Sequence, residues 1–143
     1  MAVVDKNQIL RKLTELETHL KEIKEFSTIS VETYKEDWKT QRIVERTLQI
    51  MIELCIDIAE HIISDDHMRL PTTYSDTFKV LVENHVIDQS LFNIMEKMAK
   101  FRNVVVHQYE NIDVTIVVSI LGKSLKDFVE YKDAILIYLN NKS

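Results

Sequence analysis

One glycine, Gly122, and one proline, Pro71, occur in 143 residues, and this scarcity constrains the fold more than any other feature. Average usage would supply about ten Gly and seven Pro. Sheet proteins need tight turns, and those turns draw on Gly and Pro for backbone angles that other residues avoid. A chain almost without either is expected to fold as a few long helices with short connections. The hydrophobic pattern agrees. Ile9, Leu13, Leu16, Leu20 and Ile23 recur at steps of three and four, with Lys and Glu on the opposite face. Asp5 is expected to cap this first helix, Ser27 to Ser30 to end it, and Ser30 to cap the next.

A second helix is expected from about Val31 to Ser64, bent or interrupted near Asp37. In its second half Leu48, Met51, Ile52, Cys55, Ile56, Ala59, Ile62 and Ile63 cover more than one narrow stripe. Such a helix is central in a bundle or buried in an oligomer. The segment DDHMRLPTTYSD is the clearest loop, followed by a short helix capped by Ser75 and ending near Asn84. Asp88 is expected to cap a fourth helix containing Leu91, Ile94, Met95, Met98 and Phe101. YENID gives the next break, and Asp113 caps a last helix to about Tyr138. Gly122 lies inside that helix, where it costs about 1 kcal/mol relative to Ala, so it is expected to mark close packing. The expected fold is all-α: an antiparallel bundle of about five helices, in one domain over residues 1–143.

Several function classes are disfavoured. Cys55 is alone, so no internal disulfide forms, and it is expected to be a small core residue. MAVVDKNQIL has no apolar stretch of the secretory type, and no run of 18 apolar residues exists; a cytoplasmic protein without a membrane span is expected. No Gly-rich phosphate loop occurs, so no nucleotide cofactor is expected. Glu53, Asp57 and His61 share a helix face, but bundle metal sites repeat Glu-x-x-His on two helices, which this chain does not. No metal is expected. Glu53 and Asp57 are instead expected to face the segment described next and hold its polar side chains in place. The net charge of −5 has the wrong sign for a nucleic-acid binder taken whole. An RNA surface would have to be a local basic patch, for which Lys97 and Lys100, with Arg42 and Arg46, are the candidates.

The most informative segment is Arg102-Asn103-Val104-Val105-Val106-His107-Gln108-Tyr109. Three β-branched valines pack well in a core and are expected to anchor it while its polar side chains face a cleft. Arg102 and His107 are five apart, about 140° around an ideal helix. To act together, the Arg must reach around, the helix must bend, or a second copy must complete the site; the sparseness of one pair favours a dimer. An imidazole can move a proton at neutral pH. A guanidinium grips phosphate oxygens through paired hydrogen bonds. Together they suit RNA cleavage by the neighbouring 2′-hydroxyl, which needs no metal and leaves a 2′,3′-cyclic phosphate.

R-N-V-V-V-H-Q-Y resembles the R-x4-H-x-Y signature of the HEPN superfamily, and with YENID and the helix ERTLQIMIELCIDIAEHII it is similar to the HepT-like branch. The resemblance implies a five-helix domain that forms homodimers, with the signature in an inter-subunit cleft. It implies a metal-independent endoribonuclease toxin, with Arg102 and His107 on the catalytic positions and Asn103 orienting the site. It places Tyr109 on the tyrosine adenylylated by an MntA-like nucleotidyltransferase antitoxin. The alternative is a non-catalytic accessory subunit of such a nucleotidyltransferase, which the acidic pI favours.

Overall fold

The computed structural model describes residues 5–142; residues 1–4 and 143, including the MAVV of the N-terminal segment considered above, lie outside the described residues. Among those described, every regular element is helical. Helix α1 spans Lys6–Ile23, α2 Val31–Glu36, α3 Trp38–Asp65, α4 Tyr74–Glu83 and α5 Gln89–His107. Helix α6 (Val114–Ser119) runs through a π-helical turn (Ile120–Ser124) into α7 (Leu125–Asn140).

The helix starts follow from capping. The side chains of Asp5, Ser30, Asp88 and Asp113 each accept a backbone N–H of the first turn. Asp37 does the same for Thr40, and so divides α2 from α3 where an interruption was expected. Ser75 does not cap α4. Thr73 takes that position, accepting from the Asp76 N–H, and Ser75 falls inside the first turn.

The ends are unusual. With no glycine available, His67 and His85 adopt the left-handed conformation (φ 56° and 60°) just beyond α3 and α4. Each closes a Schellman turn, with Met68 N–H donating to the Ile63 carbonyl and Val86 N–H to that of Leu81, both at 2.9 Å.

The stripe of α1 and the apolar side chains of the second half of α3 are buried, joined by Phe78, Leu81, Met95, Phe128, Tyr131 and Ile135 in one core. Cys55 lies within it, and burial pushes its thiol pKa up. Tyr131 crosses the core to donate to the Cys55 carbonyl at 2.8 Å and meets Phe78 edge-on.

Specific contacts set the directions. Asp5 N–H reaches Asp65, and Lys12 lies 3.7 Å from Asp57, so α1 and α3 are antiparallel. Tyr131 meets Cys55 and Tyr138 meets Asp66, so α7 runs with α3. Leu91 lies near Ile137, and Phe101 near Ile120 and Asp127, so α5 opposes both. Gly122 does not mark a close approach. It sits exposed in the π turn, and a Cβ there would meet only the Ser27 carbonyl oxygen at 3.8 Å, an ordinary contact.

Candidate active-site cleft

Glu53 on α3 and Arg102 on α5 are brought together by the packing of two antiparallel helices. Arg102 directs Nε and Nη2 at the same Glu53 carboxylate oxygen, at 2.9 and 2.8 Å. Gln49, one turn earlier, donates to that oxygen as well, at 3.1 Å. Asn103 accepts from Arg102 Nη1 at 3.2 Å. The Tyr74 ring, at the start of α4, lies 4.9 Å from the guanidinium carbon. An edge-on carboxylate, an amide and an aromatic face thus restrain a guanidinium whose side chain is only 14% exposed. Its five donors are not exhausted by these bonds, so N–H groups remain for an anion in the cleft.

That cleft has a volume of about 580 Å³ and is lined by Arg102, Asn103 and His107 from α5, Pro71 to Tyr74 and Thr77, and Glu60 from α3. Arg102 and His107 therefore open onto the same solvent-reachable space within one chain. The cleft wall is braced from behind. Arg69, in the α3–α4 connection, makes paired bonds to Asp76 (2.9 and 2.7 Å) and to Glu83 (2.8 and 3.2 Å). This guanidinium, with the Thr72 N–H, holds the Asp76 carboxyl well below the usual carboxylate range and lowers that of Glu83.

Other residues singled out in the sequence lie elsewhere. Asp57 is one turn beyond Glu53 and rotated by about 40°; it faces α1, 3.7 Å from Lys12, and touches neither Arg102 nor His107. Lys100 is exposed beside Glu96, and Lys97 borders a separate groove with Met98, Phe101 and Ile116. At two and five residues from Arg102, they project about 160° and 140° away from it around α5. Arg46 is exposed and seven residues before Glu53, so it shares that face of α3 about 10.5 Å away, on the His107 side. Of the three valines, Val105 packs against the core and anchors the segment as expected. Val104 and Val105 are half-buried and Val106 is 36% exposed. Tyr109 follows the end of α5 in a short 3-10 turn and is 61% exposed. Among the described residues, no group of three or more His, Cys, Asp or Glu side chains is placed to hold a metal ion, and no helix is long and apolar enough to cross a membrane.

Sequence reasoning missed Tyr74, Thr77 and Glu60 as lining residues, and Arg69 as the brace. For Arg69 and Tyr74 the visible signal was the loop around the only proline; Glu60 and Thr77, inside α3 and α4, carried none. What folds that loop back on the cleft is the pairing of Arg69 with carboxylates 7 and 14 positions away.

The profile of the family described as Ribonuclease HepT-like matches residues 16–135. The mRNA nuclease HepT of Shewanella oneidensis is 36% identical over 102 residues, covering 71% of this chain and 77% of that protein. The tRNA nuclease HepT of Aphanizomenon flos-aquae is 29% identical over 121 residues, covering 85% and 82%. The tri-AMPylated Shewanella oneidensis HEPN toxin, solved in complex with MNT antitoxin, superposes with a TM-score of 0.83 at 32% identity, over 90% of this chain and 96% of that one.

Proposed function

The chain belongs to the HepT-like ribonuclease family, and on that premise we propose that it is a metal-independent endoribonuclease toxin acting through Arg102 and His107. The observation that carries the reading is that both side chains line one cleft, with Arg102 fixed by Glu53, Asn103 and Tyr74. Phosphate oxygens of the RNA backbone bind the remaining Arg102 N–H groups, which stabilise charge as the 2′-hydroxyl attacks. His107 moves the proton on the flank of that phosphate. The bond between phosphorus and the 5′-oxygen breaks, that oxygen takes up a proton, and the upstream fragment keeps a 2′,3′-cyclic phosphate. Exposed Arg46, on the same face of α3 as Glu53, extends the basic path from the His107 end.

We further propose that the protein works as a homodimer in the cytoplasm. Val106, 36% exposed and next to His107 in the chain, gives an apolar contact beside the cleft that a second copy would cover. Silencing fits Tyr109. An MNT-type nucleotidyltransferase that transfers AMP to its exposed hydroxyl would place a phosphate charge and a nucleoside two residues from His107. The net charge of −5 favours a second reading, in which the chain only presents Tyr109 to such a partner.

The readings separate in one assay. The purified protein, incubated with RNA in EDTA, should cleave it, and His107→Ala should lose at least 100-fold in rate. No cleavage by the wild type, together with a tight complex with the nucleotidyltransferase, would leave the accessory reading in place.

A further inference from the structure

The cleft is larger than a phosphate needs. About 580 Å³ is within the range of sites for whole small molecules. Its ends also differ in chemistry. Because α5 opposes α3, His107 lies to one side of the Arg102–Glu53 level and Glu60 to the other. Glu60 is seven residues beyond Glu53, on the same face and about 10.5 Å along α3. The Tyr74 ring, 37% exposed and set against Arg102, lines the same cleft with Pro71 and Thr77.

Glu60 is exposed and stands where this cleft meets a second groove, lined by Lys12, Asp57, His61 and Ser64. Among the described residues it makes no hydrogen bond, and it feels Asp57 and His61 only through their charge. A carboxylate in a cleft that grips phosphates is repulsive unless it has donors to meet. In a bound nucleotide, the donors at this remove from the phosphate are on the base.

Resting on the nuclease reading, we propose that Tyr74, Pro71 and Glu60 form a nucleobase subsite flanking the scissile phosphate, selective for guanine. Bases exposed in single-stranded RNA stack on aromatic side chains and are read along their Watson–Crick edges. The exposed part of Tyr74 supplies the platform, its orientation fixed by Arg102. The Glu60 carboxylate supplies two acceptors side by side. Guanine alone among the four bases presents two adjacent donors, N1–H and N2–H, to such a pair. Adenine and cytosine set one amino group beside an acceptor nitrogen, and uracil sets its N3–H between two carbonyl oxygens; both arrangements bring lone pairs against the carboxylate.

The test reads binding, not turnover. The 3′- and 5′-monophosphates of guanosine, adenosine, cytidine and uridine are titrated calorimetrically into the wild type, Glu60→Gln, Tyr74→Phe and Tyr74→Ala. The guanosine series is expected to bind the wild type about tenfold tighter than the uridine series. Glu60→Gln should bring that ratio close to one. Tyr74→Ala should weaken all four bases about tenfold, and Tyr74→Phe should restore them. Equal affinities for the four bases in the wild type overturn the subsite, whatever the variants do. So does a guanine preference that survives Glu60→Gln. The two readings fail separately. Guanine-selective binding without RNA cleavage removes the nuclease and leaves the subsite, whereas RNA cleavage with no base preference in binding does the reverse.

Discussion

Glu53→Gln isolates what the Arg102 clamp contributes. The substitution keeps the shape and one amide oxygen but removes the charge. In the wild type a single carboxylate oxygen receives both Nε and Nη2 of Arg102 at 2.9 and 2.8 Å. Hydrogen bonds to charged groups contribute about 1.5–3 kcal/mol when well shielded, whereas exposed ion pairs contribute about 0–1. With side chains 14% and 33% exposed, this pair lies between the limits; a stability loss of about 1–2 kcal/mol follows, read as a lower urea midpoint at constant slope. The effect on activity should be larger. A guanidinium free to swing by about 1 Å costs on the order of 100-fold in rate, equivalent to about 2.7 kcal/mol of transition-state stabilisation. RNA cleavage by Glu53→Gln should therefore fall 10- to 100-fold in kcat/KM, at a temperature where the variant is fully folded. Cleavage within threefold of the wild type would refute the argument that Glu53 orients Arg102 for catalysis.

Three further outcomes are expected. Arg69→Met should reduce stability near neutral pH, and the deficit should shrink as pH falls. Asp76 and Glu83 have lowered folded-state pKa values, so their contribution is present above the unfolded range of about 4 and is lost as pH falls through the folded values; a deficit independent of pH between 7 and 2 would contradict this. His85→Gly should raise stability by about 1 kcal/mol in thermal melts, because a left-handed residue with φ 60° carries a Cβ penalty that glycine lacks; a lower melting temperature would count against it. Tyr34→Phe should be neutral or stabilising by up to about 1 kcal/mol, because the fully buried Tyr34 hydroxyl has no hydrogen-bond partner among the described residues; a loss above 1 kcal/mol would show a partner that the fold does not reveal.

The bundle was legible because its determinants are local. The steps of three and four through Ile9 to Ile23 give the buried stripe of α1, and Asp5, Ser30, Asp88 and Asp113 mark helix starts through contacts three or fewer residues long. The α4 start was misplaced by two residues because Ser75 is by type the better cap, although Thr73 is the one used. The pull of Arg69 on Asp76, which fixes the choice, is a tertiary contact. The same limit applies at the cleft. Periodicity put Glu53 and Asp57 on neighbouring parts of one face, but only the placement of α5 and α1 sends one to Arg102 and the other to Lys12. The valines beside His107 read as core, whereas the structure leaves Val106 partly in solvent. Composition does not distinguish a surface packed within the chain from one left for a partner.

The most direct test of the account is the chemistry of the cut end. Mass spectrometry of the upstream RNA fragment, taken early in a reaction run in EDTA, should show a 2′,3′-cyclic phosphate, absent with Arg102→Ala and with His107→Ala. A free 3′-hydroxyl would contradict it, since that end requires attack by water or an added nucleophile in place of the ribose 2′-hydroxyl.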